Sequence, residues 1–399
     1  MQSPLELGKQ WFMQGVALFE QGHHEQAEAA FAEALKQVPG RASVLLNLGI
    51  TRVHLGRHGD AIEPLEQALA VDPGAADAWV ALGTAQFETL RWAAALDSLD
   101  QAMALGVGHP DVRLRRARTL ARLGRWADAL HAYQTLLSEV PALPEAWVEQ
   151  GEIHREAGQW DEAAVAYRQG LAHGADPQWA GYLLAAVTRE GGVPHPPAEY
   201  VRALFDQYAD DFDDHLVGTL AYQGHQTLVD SLAASPSDNL GRVLDLGCGT
   251  GLCGVMVREQ ATRLVGIDLS PEMVERSRAR GIYDRLEAGD LHELLPLPGE
   301  VFDTVLAADV FIYVGELTRA FACLAASLRP AGRLAFTVET GEPGSGARLL
   351  PSLRYSHAPD YIHELASRHG FQVIRRRVAP IRQDQGVPLM ADYYVLGRE

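Results

Sequence analysis

A chain of 399 residues with 47% apolar and 22% charged side chains is too long for one ordinary core and, at roughly 150 residues per unit, implies two or three domains. Its formal net charge of -18, carried as 15 Lys+Arg against 24 Asp+Glu up to residue 192 and 19 against 28 beyond it, excludes a basic docking module and speaks against nucleic acid or an anionic membrane as partner. Three cysteines (Cys248, Cys253 and Cys323) without metal-ligand spacing, no apolar run near the roughly 18 residues of a membrane span, and no basic-then-apolar leader lead to the expectation of a cytoplasmic protein with no metal site.

The first half repeats with a step of 34 residues. Ala27, Ala61, Ala95, Ala129 and Ala163 keep that step, as do Gly15, Gly49, Gly83 and Gly151, with Ala117 replacing the glycine once. Trp11, Leu45, Trp79 and Trp147 follow the same spacing, interrupted by Arg113, and Pro39, Pro73 and Pro141 close three units. Such a pattern describes pairs of short antiparallel helices, small residues permitting close approach and large ones filling the space between; one pair cannot bury its apolar face, so the units stack. The elements "WFMQG", "AEAAF" and "VPG" resemble the tetratricopeptide repeat. The resemblance implies five units, starting near Gly8, Ala42, Ala76, Pro110 and Pro144, with residues 177 to 190 as a closing helix. It also implies a concave groove lined by Phe12, Val16, Phe19, Leu46, Ile50, Val53, Val80, Thr84 and Phe87, which would receive a protein or peptide partner unless these residues only pack between helices. "RLRRARTLARLGR" sets Arg113, Arg115, Arg116, Arg118, Arg122 and Arg125 on one helix and its turn, either to meet an anion or, the reading we favour, to counter acidic neighbours.

"REGGVPHPPAEY" ends a helix and delays the next until after its last proline, which places a stiff joint at 191–199 between a repeat array over 1–190 and a second domain over 200–399. There "RVLDLGC", "RLVGIDLS", "RLEAGDL", "FDTVLAADVF" and "RLAFTVE" read as strands alternating with helices, among them "PEMVERSRARG" with Ser270 as N-cap and Pro271 at its first position. This alternation predicts a parallel sheet covered on both faces, with ligands at the carboxyl ends of its strands.

The turn "VLDLGCGTGLCG" aims backbone N–H groups at an anionic group, pyrophosphate or carboxylate, and alone does not choose between them. Asp268 ends the next strand where it suits both ribose hydroxyls of a nucleoside. Asp245 within the first strand's motif, Asp290 in "AGD" and "DTVLAADVFIY" on the fourth strand complete a set that resembles the class I S-adenosylmethionine (SAM)-dependent methyltransferases of the small-substrate type. The resemblance implies a Rossmann-like seven-stranded domain behind an all-α solenoid, an α plus α/β chain. Asp245, Gly247, Gly249 and Gly251 would hold the methionine end of SAM, with Leu246 and Cys248 along the loop. Asp268 would take the ribose and Leu269 touch the adenine, whose amino group Asp290 would accept beside Leu291. Asp309, or the backbone of Ala308 and Asp309, would face the methionine ammonium and the methyl. Gly254 then reads as a helix residue, and its dinucleotide-like spacing as coincidence.

"YVRALFDQYADDFDDHLVGTLAY" resembles the lid helices of this family, here over 200–234, which implies Tyr208 and Phe212 near the sulfonium and His215 and Tyr222 toward the substrate. His215, Asp309 and Tyr313 are the candidate catalytic groups; His357 is a further titratable candidate, although "SHAP" also suits a helix start. Motif four lacks the [DN]-P-P-[YF] of amide and adenine nitrogen methylation and no Pro-Cys nucleophile occurs, so the expected acceptor is an oxygen, nitrogen or carbon of a small molecule or a protein, and the expected product S-adenosylhomocysteine (SAH). The alternative is a repeat scaffold whose SAM-binding domain is structural or regulatory.

Overall fold

The computed structural model describes residues 3–188, 196–208, 221–232, 239–295, 297, 299–384 and 387–399, so the joint expected at 191–199 lies largely outside the described residues. The chain divides into two compact units, Met1–Ala175 and Asp176–Glu399.

The first unit is a series of helix pairs: α1 (Pro4–Glu20) with α2 (His24–Gln37), α3 (Ala42–His54) with α4 (His58–Val71), and α5 (Ala76–Glu88) with α6 (Trp92–Ala104). Then follow α7 (Pro110–Arg122) with α8 (Trp126–Glu139) and α9 (Pro144–Glu156) with α10 (Trp160–Ala172). The first pair begins at Pro4 because Ser3 caps it: the Ser3 side chain accepts from the Glu6 N–H while the Glu6 carboxylate accepts from the Ser3 N–H.

The repeating glycine has a packing cause. A Cβ on Gly49 would lie 2.5 Å from Leu65 of the paired helix, one on Gly83 2.8 Å from Leu99, and one on Gly151 2.5 Å from Tyr167. Each of these three pairs therefore closes on a large residue seated over a bare backbone. In the fourth pair Ala117 replaces the glycine, and the Tyr133 hydroxyl donates to Glu149 at 2.8 Å, a carboxylate that Arg118 holds at 2.6 Å. Three more arginines of α7 pair likewise, Arg113 with Glu139, Arg115 with Glu88 and Arg116 with Asp100, so this helix counters its acidic neighbours. The recurring tryptophans are fixed by the preceding unit: the indole N–H groups of Trp79 and Trp147 donate to the carbonyls of Pro73 and Pro141, both at 2.9 Å. Phe12, Val16, Phe19, Leu46, Ile50, Val53, Val80, Thr84 and Phe87 are each half-buried.

The second unit opens with α11 (Pro177–Thr188), which the sequence reading attached to the repeat array. The buried Tyr182 hydroxyl donates to the Leu353 carbonyl at 2.7 Å, and the rings of Trp179 and Tyr200 lie 4.6 Å apart, which ties α11 to the unit that follows. After α12 (Ala198–Tyr208) and α13 (Gly224–Leu232) come β1 (Gly241–Leu246), α14 (Leu252–Val257), β2 (Ala261–Asp268), α15 (Pro271–Ala279), β3 (Arg285–Ala288), α16 (Leu291–Leu294) and β4 (Phe302–Ala307). They are followed by α17 (Thr318–Ser327), β5 (Leu328–Thr340), β6 (Ala347–Leu349), β7 (Tyr355–His357), α18 (Pro359–Arg368), β8 (Phe371–Asp384) and β9 (Val387–Arg398).

Strands β1 to β5 are parallel in the order β3-β2-β1-β4-β5; β9 runs antiparallel beside β5 and β8 beside β9. These are the seven strands of the expected fold. Two short strands add to them, β7 pairing with Glu339 and Thr340 beyond the stretch of β5 that pairs with β4, and β6 pairing with β7. Side chains alternate between faces, so Val243, Leu264, Leu306 and Ala335 meet α13 and α14, while Leu244, Val265, Val305 and Leu334 join the core beneath α17 and α18. Strand order reverses between β2 and β4 on either side of β1, which opens a crevice at the carboxyl edge. No described helix is long and apolar enough to cross a membrane.

Gly49→Val should destabilise the repeat unit by about 2 kcal/mol through overpacking, and Leu65→Ala by about 3 kcal/mol through a cavity. Their combination should cost less than the sum, because the valine fills the space the leucine vacates. Urea unfolding of the full chain followed by far-ultraviolet circular dichroism reads this; strict additivity would refute the glycine-over-leucine account.

Candidate active site

A cavity of about 460 Å³ stands at that reversal. Its floor is the turn after β1. The Cys248 N–H donates to the Ile267 carbonyl at 3.0 Å, the Ser277 hydroxyl donates to the Gly249 carbonyl at 2.8 Å, and Arg280 Nε donates to the Thr250 carbonyl at 2.5 Å. Gly247 and Gly249 take positive φ values of 65° and 53°, which a side chain would oppose. A Cβ on Gly247 would strike Val310, whereas one on Gly249 would meet no atom within 4 Å, so the loop keeps an open cradle where Gly249 lines the cavity.

Below the loop, the Tyr283 hydroxyl donates to Asp245 Oδ2 at 2.6 Å. Burial pushes the Asp245 carboxyl up to about 7 against this hydrogen bond, and Asp268 adds to the rise. The Tyr283 ring also explains the later glycines. A Cβ on Gly251 would lie 3.2 Å from the ring and one on Gly266 2.9 Å, and one on Gly254 would overlap the hydroxyl. Gly254 lies in α14, as the sequence reading expected, and its missing side chain has this steric cause. Gly251 caps α14 and does not line the cavity.

Asp268, at the end of β2, is buried, and its two oxygens accept separately: Oδ1 from the Ser270 N–H at 2.9 Å and Oδ2 from the Gly249 N–H at 2.7 Å. Burial raises its carboxyl above the ordinary aspartate range despite these donors. Each oxygen retains a second lone pair for a hydroxyl donor. Ser270 is the N-cap of α15, accepting from the Met273 N–H at 3.1 Å, while its own hydroxyl donates to Asp206 at 2.5 Å and so pins α12 over this edge.

The cavity brings together Asp245, Leu246, Gly247, Cys248 and Gly249 of the first turn, Asp268 and Leu269 of the second, Asp290 and Leu291 after β3, and Ala308, Asp309 and Tyr313 after β4. Tyr222 also lines it. Of Tyr208 only the backbone, at the end of α12, is described; Phe212 and His215 lie outside the described residues. His357 stands elsewhere, fully buried in β7 with Nε2 3.0 Å from the Val314 carbonyl, and desolvation lowers its pKa to about 4. The helix start read beside it is Ala358, the N-cap of α18. Among the described residues no group of His, Cys, Asp and Glu could hold a metal ion.

Asp309 departs most from the picture drawn from sequence. Its backbone is left-handed at φ 61°, held by an N–H donated to the Thr337 hydroxyl at 2.8 Å, and its carboxylate accepts from Arg382 at 2.7 Å. Strain of this kind in a residue other than glycine collects at functional sites. Burial, with Asp309 nearby, pushes the Tyr313 hydroxyl up to about 12.

Residues 244–336 match the family model described as a methyltransferase domain, and tetratricopeptide repeat models match residues 12–68, 53–118 and 114–178. The chain joins tetratricopeptide repeats to a methyltransferase domain. It is 39% identical over 107 residues to methyltransferase-like protein 27 of Homo sapiens, covering 26% of this chain and 43% of that protein. It is 34% identical over 96 residues to a malonyl-[acyl-carrier protein] O-methyltransferase of Serratia marcescens, covering 24% of this chain and 37% of the other. The chain thus spans less than half the length of these relatives. Magnesium protoporphyrin IX methyltransferase from Synechocystis, solved with bound SAH, superposes at a TM-score of 0.40 and 20% identity, over 51% of this chain and all of that one.

Several residues in or behind the methyltransferase domain's cavity gave no sequence signal. Arg382 and Arg354 lie far along the chain from every motif, and Asp206 and Tyr283 act through a partner brought near only by folding. Arg382 could have been suspected only as a cation in apolar strand surroundings.

The raised Asp245 pKa sets a sign. Between about pH 4 and 7 the folded domain binds a proton that the unfolded chain has released, so this group's contribution to stability falls as pH rises through that window. Asp245→Asn should therefore raise the melting temperature of the ligand-free protein at pH 8, by about 2 kcal/mol of stability, with the gain fading toward pH 4. A gain that is flat with pH would show that Asp245 ionises freely.

Proposed function

We propose that the second unit binds SAM in this cavity and methylates an oxygen, nitrogen or carbon of a small molecule or a protein, and that the repeat array recruits a protein or peptide partner or the acceptor itself. The observation that carries this reading is the convergence on one cavity of the open glycine turn, Asp268, Asp290 and Asp309. Bound SAM supplies a methyl group activated by a sulfonium.

The chain's own residues do the rest. Gly247 and Gly249 keep the loop low enough for the methionine end to lie on backbone, and Asp245 beneath them offers negative charge to its ammonium. Asp268, fixed by the Gly249 and Ser270 N–H groups, presents its remaining lone pairs to the ribose hydroxyls. Asp290 accepts from the adenine amino group, with Leu269 and Leu291 against the ring. Val201, Leu204 and Phe205 of α12 wall the cavity with apolar surface, which excludes water and lets alignment supply much of the acceleration. Asp309, engaged by Arg382, positions the reacting end. Tyr313, with its raised pKa, serves there as a hydrogen-bond donor. The half-buried apolar residues on the first helices of the early repeats support recruitment by the array.

Calorimetric titration of the full chain with SAM and SAH tests the reading. Saturable binding of both is expected, with Asp268→Ala weakening it about 100-fold through loss of charge-assisted hydrogen bonds. No binding by the parent chain, or an undiminished affinity in the variant, would overturn it.

A further inference from the structure

The cavity has an end that the proposed SAM contacts leave unused. Arg382 enters it from β8 and Arg354 from the turn before β7. Arg382 is aimed by a break in register: β8 pairs regularly with β9 from Arg375 to Pro380 and resumes at Arg382, and the intervening Ile381 carbonyl accepts from the Gln223 N–H at 3.0 Å. A bulge of this kind turns a side chain to the other face of a strand. The Arg382 side chain is only 8% exposed. One of its five N–H groups goes to Asp309 Oδ2 at 2.7 Å, and Arg354 Nε stands 3.4 Å from Glu339 Oε2. Val201, Leu204, Phe205, Val310 and Val314 make the neighbouring wall apolar.

Two guanidinium groups beside the proposed site of a cationic cofactor are costly unless anions offset them. Asp309 and Glu339 set one carboxylate beside each of them, and burial raises the Glu339 carboxyl above its ordinary range even with both arginines close. An anion seated on the two guanidinium groups faces the two resident carboxylates, which repel a dianionic phosphate more than a monoanion. The planar N–H fork of arginine matches a carboxylate in particular.

Resting on the SAM reading above, we propose that Arg382 and Arg354 form a carboxylate-recognition subsite, so that the acceptor is a small carboxylic acid with an apolar body lying along α12. The apolar wall sorts for the body and the guanidinium pair for the anionic head.

The test uses the full chain saturated with SAH and titrated with linear acids from butanoate to decanoate, each against its primary amide, by thermal shift and calorimetry. At least one acid should bind and stabilise the protein while its amide does not. Arg354→Gln should weaken that binding about tenfold, with SAH affinity within about twofold of the parent. Arg382→Gln would leave Asp309 without its cation and could unfold the site, so Arg382→Lys, which keeps the charge and loses the fork, is the companion variant and should also weaken the acid. Equal binding of acid and amide, binding of none of the acids to SAH-loaded protein, or acid binding unmoved by Arg354→Gln would each overturn the subsite. Failure to bind SAH at all would instead overturn the SAM reading.

Discussion

The carboxyl edge of the methyltransferase domain is built around one hydrogen bond, from the Tyr283 hydroxyl to the buried Asp245 carboxylate at 2.6 Å. To deliver that hydroxyl, an aromatic ring must pass under the glycine turn, and Gly251, Gly254 and Gly266 are each bare on the side it occupies. The turn is therefore shaped from below by a ring and from above by the space left over Gly249. The carboxylate that receives the bond is raised by its burial, so it sits near the point at which a cation arriving above would draw off its proton. Position and charge at the loop thus have a common origin.

A second constraint links the parts of the cavity. Asp268 accepts from Gly249 on the first turn and from Ser270 on its own, and Ser270 reaches Asp206 of α12. Three segments distant in sequence are joined through two residues, so displacement of any of them is felt at the others. This lets a shallow crevice, which every sheet with reversed strand order possesses, become a walled cavity.

How much could be read in advance follows from the range of each interaction. The helix pairs were legible because their cause is local and recurs: a glycine at one position and a large residue on the partner helix, every 34 residues. Asp245, Asp268, Asp290 and Asp309 were legible because a parallel sheet places successive strand ends together. The packing role of Gly254 was not legible, since its partner Tyr283 comes from the loop before β3 and no spacing announces it. The assignment of α11 was equally beyond periodicity, because Tyr182 finds its carbonyl at Leu353, 171 positions away. The short β6 and β7 left no hydrophobic alternation long enough to register.

The reacting end shows why the least legible part of the site lies in its last strands. Asp309 occupies a strained backbone position that only its surroundings can enforce, here the Thr337 hydroxyl on β5 and Arg382 on β8. Arg382 in turn depends on the bulge at Ile381, and the bulge on the Gln223 N–H that takes the displaced carbonyl. The register of β8 slips twice, after Val373 and after Pro380, and each slip inverts the side chains beyond it, so Arg382 faces the same way as Ala379 and not as Pro380 two positions before it. The glycine turn can therefore be specified by a motif, whereas the setting of Arg382 is specified by an irregularity. That division leaves the C-terminal strands free to vary the far end of the cavity while the first strands keep the loop.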